Sequence, residues 1–285
     1  MSNEAESVGL FPPKDLHAVA PEAIRGVPQG SQFAGLFARE LLRTFRNPWV
    51  LVITIVQPFM WLAFFGSSFA NVPLSALESL LHIQIQSYLQ FLLPGVLATS
   101  MLGVGMFGAM STIQDKRFGY MKRILLTPTS KTTVYLSKAL GSATRGLVQI
   151  PVMVVAALAF GVQIHGDPLM WAGWVLSLVF LAMGFSFMFL AVTASSTDWQ
   201  TPGVISNFLM MPLMFASGAL FPSANFPSWM ATIANWNPVT YAALFGRGVV
   251  VSGTANWPYL GYTAIFAGLM GLIGTLVARK YLKVE

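Results

Sequence analysis

Residue types able to hold a metal, move a proton or attack carbon are few in this 285-residue chain, and they are not spaced for such work. Cysteine is absent, which removes thiolate zinc sites, disulfide frameworks and cysteine nucleophiles. His17, His82 and His165 stand alone, with no second ligand three or four residues on. Neither H-E-x-x-H nor G-x-S-x-G occurs, and there is no Walker-type phosphate loop. Gly103, Gly105 and Gly108 spell G-x-G-x-x-G, but no strand precedes them and they sit inside an apolar run. A dinucleotide site needs a strand, a tight turn and a helix start, so these glycines read as places where helices approach closely. Asp and Glu hardly occur inside the apolar runs, leaving a proton or sodium relay little to work with. The chain therefore reads as having no catalytic site, cofactor or metal of its own. What remains is electrostatic: basic side chains gathered at the ends of apolar segments.

The densest such group follows the second apolar run and holds Lys116, Arg117, Lys122, Arg123, Lys131 and Lys138. A composition of 55% hydrophobic and 9% charged residues, against about 25% charged in soluble domains, means that most of the surface does not face water. Crossing about 30 Å of hydrocarbon takes about 20 apolar residues. Six runs qualify: 48–70, 88–112, 138–161, 169–193, 201–221 and 258–278. Fourteen of the sixteen Lys and Arg residues fall before the first run, after the second or at the C-terminus. The loops 71–87 and 162–168 contain none. The positive-inside rule then places both termini and the loop at 114–130 in the cytoplasm, and the net charge of +6 reads as topology rather than nucleic-acid binding. The loop near 195–200 is cytoplasmic by the same count, yet has no basic residue.

Three further segments stand out. Residues 1–30 carry Pro12, Pro13, Pro21 and Pro28 with mixed charge and no signal-peptide core, and read as a flexible cytoplasmic tail. Over 31–46, a helical wheel puts Phe33, Phe37, Leu41, Leu42 and Phe45 on one half and Gln32, Arg39, Arg43 and Arg46 opposite. That is the pattern of a helix lying in the headgroup layer. Residues 222–250 are apolar but broken by Pro222, Pro227 and Pro238, and contain Trp229, Trp236 and Tyr241. They predict two short outer helices dipping into the membrane as a re-entrant hairpin. Arg145, inside the third run, either snorkels to the cytoplasmic interface or pairs within the bundle. Met210, Met211 and Met214, with Asn207, are either core filler or an adaptable apolar surface.

Three stretches resemble the ABC-2 type transporter permease family, nearest its daunorubicin-resistance-type drug-exporter branch. They are Asp-Lys-Arg-Phe-Gly-Tyr-Met-Lys-Arg-Ile-Leu-Leu-Thr-Pro over 115–128 with Lys-Ala-Leu-Gly over 138–141, Asn-Phe-Leu-Met-Met-Pro-Leu-Met-Phe-Ala-Ser-Gly-Ala-Leu-Phe-Pro over 207–222, and Asn-Pro-Val-Thr-Tyr-Ala over 237–242 with Arg247. The likeness covers 31–285. It implies an all-α, type V exporter-like transmembrane domain with six spans, a 31–46 interfacial helix and an outer re-entrant hairpin at 222–250. Two such chains would pair as a homodimer in a prokaryotic plasma membrane, with two copies of a separate ABC ATPase, carrying ATP and Mg, docked below.

On that resemblance, Asp115, Lys116, Arg117, Phe118, Gly119, Tyr120, Lys122 and Arg123 would couple to the ATPase. Arg39, Glu40, Arg43 and Arg46 would be its second contact. Phe59, Met60, Phe64, Asn207, Met210, Met211 and Met214 would flank the path. Trp236, Asn237, Pro238, Tyr241 and Arg247 would build the hairpin. The family usually has acids where this chain has Arg117, Arg123 and Leu244, so a more acidic ATPase cleft is expected and any ion pair of Arg247 must come from elsewhere. The function implied is export of an amphiphile such as a drug, lipid or glycolipid. The rivals are a lipid-linked polysaccharide permease and an ATP-independent secondary transporter or channel.

Overall fold

The structure is a computed structural model and describes residues 28–69, 71–81, 84–127, 129–163, 165–196 and 200–281. The tail expected over 1–30 lies outside the described residues up to position 27, as do Pro128 and Lys283. Within the described residues the chain is all helix, without strands. The helices are α1 (Gln29–Phe45), α2 (Pro48–Ser68), α3 (Leu74–Leu81), α4 (Tyr88–Arg117), α5 (Tyr120–Leu125), α6 (Lys131–Ala159), α7 (Pro168–Ser195), α8 (Thr201–Phe215), α9 (Ser228–Trp236), α10 (Pro238–Arg247) and α11 (Trp257–Tyr281). A 3-10 turn at Ser223–Asn225 precedes α9, and a π turn at Gly248–Ser252 follows α10.

Side-chain caps start several of these helices. The Asn47 side chain accepts from the Val50 amide and Pro48 opens α2. Ser87 accepts from Leu89 at the head of α4, and Ser130 from Thr133 at the head of α6. Each satisfies an amide that the first helical turn cannot.

Among the described residues, five helices are long and apolar enough to cross a membrane: α2, α4, α6, α7 and α11. Three of them overshoot. α4 has 30 residues, α6 has 29 and α7 has 28, or about 42–45 Å at 1.5 Å per residue against about 30 Å of hydrocarbon. That length is enough to tilt within the apolar layer or to reach beyond it. The sixth expected run differs. Helix α8 stops at Phe215 after 15 residues, about 22 Å, and 216–222 is not helical. At the stop, Ser217 turns its hydroxyl back onto the Met214 carbonyl (2.7 Å), and the carbonyls of Leu213 and Ala216 accept from the Asn237 side chain.

Helix α4 is the hub, buried along most of its length between α6, α7 and α10, whereas α2 and α11 leave most of their surface uncovered. Without a hydrophobic drive between helices in lipid, close packing of small residues has to hold such a bundle. Gly105 shows this, since a methyl group there would lie 2.8 Å from the Phe185 carbonyl carbon and the Ser186 amide of α7. The three glycines of the G-x-G-x-x-G match all lie within α4. Trp174, Phe185, Phe189 and Phe245 are the largest wholly buried side chains.

Non-helical backbone after α8 is the fold's main liability, and the Asn-Pro-Val-Thr-Tyr stretch answers it. Asn237 Nδ2 donates to the carbonyls of Leu213 (2.7 Å) and Ala216 (3.1 Å), while its Oδ1 caps α10 through the Val239 amide (3.1 Å). Thr240 Oγ1 accepts from the Gly218 amide (3.1 Å) and donates to the Ala234 carbonyl (2.8 Å). Tyr241 donates to the Asn235 carbonyl. Replacing Asn237 with alanine should strand buried groups at about 1–3 kcal/mol apiece and lower the apparent melting temperature by several degrees. Asn237→Asp, which keeps the cap oxygen but sets a buried carboxylate oxygen against the Leu213 and Ala216 carbonyls, should cost more than alanine. Thermal aggregation in detergent read by size-exclusion chromatography measures both.

Candidate functional site

The basic end of α4 is a buried ion cluster rather than an open loop. Asp115 is 5% exposed and still helical. Its carboxylate accepts from Lys138 Nζ of α6 (2.6 Å) and from Arg39 and Arg43 of α1 (both 3.1 Å). Lys138 also meets Glu40 of α1 (3.2 Å), itself bonded to Arg39 (3.3 Å) and to Ser111 (3.4 Å). Three cations and two carboxylates thus lock α1, α4 and α6 together. An unpaired buried charge costs several kcal/mol, so every member depends on the others.

This arrangement corrects the wheel reading of the first helix. Arg39 and Arg43 turn inward to Asp115 rather than outward to lipid phosphates. Leu42 and Phe45 are exposed instead, as is Arg46. Glu40 is buried. Lys138 alone cannot balance two buried carboxylates, so they draw the basic stripe inward as well. Arg145 follows the same pattern. It is buried, donates to Thr44 Oγ1 of α1 (3.0 and 3.3 Å) and lies 5.6 Å from the Phe107 ring, which is pairing within the bundle.

Beyond Asp115 the chain changes character. Lys116 Nζ caps the end of α7, donating to the carbonyls of Thr193 (2.7 Å), Ala194 and Ser196 (both 3.4 Å). A lysine there suits the negative end of a helix. Gly119 turns the chain with φ +69°, a conformation open to glycine at little cost. Helix α5 then lies across the base. Met121 and Ile124 pack on Leu36 of α1 and Val134 of α6, and the Arg39 guanidinium sits 4.0 Å from the Tyr120 ring centroid. The outer surface carries Arg117, Lys122 and Arg123 with Phe118 (76% exposed) and Leu126 (74% exposed). So of the eight residues expected to face an ATPase, Asp115 faces inward, Lys116 holds α7, and Gly119 and Tyr120 shape the turn. The remaining four point out.

The expected path residues divide. Met210 and Met214 of α8 line a narrow cleft with Gln57 and Trp61 of α2 and Thr99 of α4. Phe59 turns toward Phe160, with ring centroids 6.1 Å apart. Met60, Phe64, Asn207 and Met211 are exposed on the outer faces of α2 and α8. In the outer segment, Trp236 is exposed, Pro238 opens α10 and Arg247 is buried.

Sequence reasoning did not name Lys138, Ser111 or Thr44 as members of a site. The available signal was the pair of neighbours Arg39-Glu40 and Asp115-Lys116, acids that are rare elsewhere in the chain.

Among the described residues the chain is a bundle of helices, five of them long and apolar enough to cross a membrane. The family model described as ABC-2 type transporter matches residues 31–249, and the chain belongs to that family. Among similar proteins, "Putative transport permease ycf38" of Pyropia yezoensis is 30% identical over 235 residues, covering 80% of this chain and 76% of its own. "Daunorubicin resistance ABC transporter permease protein DrrB1" of Streptomyces coeruleorubidus is 23% identical over 232 residues, covering 81% and 78%. "Inner membrane transport permease YadH" of Escherichia coli is 23% identical over 209 residues, covering 72% and 77%.

Asp115→Asn should leave Lys138, Arg39 and Arg43 undercompensated and cost about 3–5 kcal/mol. The charge-balanced pair Glu40→Gln with Lys138→Met should cost less than either change alone. Thermal inactivation of the four variants against the wild type checks the order.

Proposed function

We propose that this chain is the permease half of an ATP-driven exporter, and that the α4–α5 turn is where it receives work from a separate ABC ATPase. The observation that carries the reading is the two-faced turn, whose inner face is fixed by Met121, Ile124 and the Tyr120–Arg39 contact while Arg117, Phe118, Lys122, Arg123 and Leu126 are presented outward. A basic rim around two exposed apolar side chains suits an acidic cleft with an apolar floor. Asp115 and Lys116 then transmit rather than touch. A push on the turn reaches α1 and α6 through the ion cluster and α7 through Lys116, so closure of two ATPases on ATP and Mg tilts the bundle as a body.

In this reading two copies of the chain pair, and the ATPase face with both termini is cytoplasmic. Helix α8, with the 216–222 segment, makes a sixth crossing, and α9 and α10 form the re-entrant hairpin on the far side. The membrane is a prokaryotic plasma membrane. The cargo is an amphiphile (drug, lipid or glycolipid), because the narrow α2, α4 and α8 cleft sets Met210, Met214 and Trp61 beside the polar Gln57, Thr99 and Ser100 and Met adapts to varied apolar shapes. DrrB1 carries daunorubicin resistance in its name, which favours the exporter reading over the lipid-linked polysaccharide one.

Charge reversal at both Arg117 and Arg123, to Glu, should abolish co-purification of an ABC ATPase encoded beside this chain and its substrate-stimulated ATP hydrolysis. Melting should stay unchanged, since neither residue belongs to the ion cluster. Retention of both ATPase readouts would overturn the coupling role.

A further inference from the structure

At the end of the bundle away from Asp115, a cavity of about 350 Å³ lies between α4, the 222–224 turn, α10, the π turn and the start of α11. Ser223, Ser252, Thr254 and Asn256 bring polar groups to its wall, Arg247 a cation and Phe91 an aromatic ring. Among the described residues no carboxylate lines it.

Arg247 is buried. Its Nε donates to the Phe91 carbonyl (3.3 Å), Nη1 to the Gly218 carbonyl (2.6 Å) and Nη2 to the Ala219 carbonyl, and its Cζ lies 3.6 Å from the Phe91 ring centroid. Carbonyl dipoles and a ring face satisfy N–H groups without cancelling a full charge. Among the described residues, the ion pairs all belong to the Asp115 cluster and none reaches Arg247. A guanidinium stays protonated and carries five N–H groups, of which three donors are accounted for. The π turn at Gly248–Ser252 begins directly after Arg247, and such turns gather at functional sites.

We propose that this cavity binds the anionic head of an amphiphile, a phosphate or carboxylate, with Arg247 supplying the counter-charge and the Ser, Thr and Asn side chains completing the hydrogen bonds. The apolar remainder of the wall takes the adjoining chain. The inference deepens the export reading, because it gives the cargo, or the lipid that guards its exit, a negative head.

The test uses the full chain in detergent and short-chain lipid probes. Dihexanoyl phosphatidylglycerol should bind about tenfold or more tighter than dihexanoyl phosphatidylcholine, the scale of a charge-assisted hydrogen-bond set. Inorganic phosphate should not displace it. Ser223→Leu with Asn256→Leu fills the cavity while leaving the carbonyl bonds of Arg247 intact, and should abolish the preference. Native mass spectrometry separates the two sources: a resident phospholipid stays on the wild-type chain as purified, whereas a cargo site is vacant until the probe is added. Equal affinity for the two lipids, displacement by phosphate alone, or unchanged binding in the filled variant would overturn the proposal. None of these readouts involves an ATPase, so they fail independently of the coupling role.

Discussion

Everything at the base of the molecule is arranged around the carboxylate of Asp115. A buried carboxylate tolerates low dielectric surroundings only when cations reach it, and three do, from two other helices: Lys138 of α6 and Arg39 and Arg43 of α1. That requirement fixes α1 beneath the bundle, because α1 brings two of the cations and also Glu40, the second acid that Lys138 needs. It fixes the start of α6 in the same way. Once these three helices are tied, Leu36 and Val134 form the floor on which Met121 and Ile124 rest. The orientation of α5, and so the exposure of Phe118 and the basic rim, is a consequence of a charge balance one helical turn away.

The opposite end solves a different problem. There the backbone itself is broken, between Phe215 and the start of α9, and each freed amide or carbonyl needs a partner because lipid supplies none. Asn237, Thr240 and Arg247 supply those partners to Leu213, Ala216, Gly218 and Ala219. The stretch 237–247 therefore has a structural meaning before any functional one. Rigid ion pairing at one end and side-chain repair of irregular backbone at the other leave α4, which touches both, as the element joining them. Phe91, near its start, lies under Arg247, and Asp115, near its finish, sits in the ion cluster.

The broad class was open to reading because it depends on length and hydropathy, which the bilayer imposes directly. Five long apolar helices stand where apolar runs predict them. Over 201–221 hydropathy averages over residues, while the helix itself ends at Phe215, where the Leu213 and Ala216 carbonyls turn to Asn237, a local event no average detects. The inward turn of Arg39 and Arg43 was hidden for a different reason. A helical wheel sorts side chains by angle but cannot know that a carboxylate 72 or 76 positions away will wait on the polar side. Lys138 reads in the sequence as one more basic residue of a basic stretch, with nothing to mark it as the partner of Asp115 and Glu40. The cavity by Arg247 is assembled from three stretches of chain, at 91, 222–224 and 244–259, and no single one carries its signature.

The central claim is that the turn beyond Asp115 faces an ATPase while Asp115 itself does not. The chain contains no cysteine, so single cysteines report position without background. Phe118→Cys, co-expressed with the adjacent ABC ATPase, should cross-link to it through a short thiol-reactive linker in inverted membrane vesicles, more in one nucleotide state than in the other, while Ser111→Cys in the ion cluster stays unlinked. Labelling of Phe118→Cys from the outside of intact cells, or no cross-link in any nucleotide state, would contradict the account.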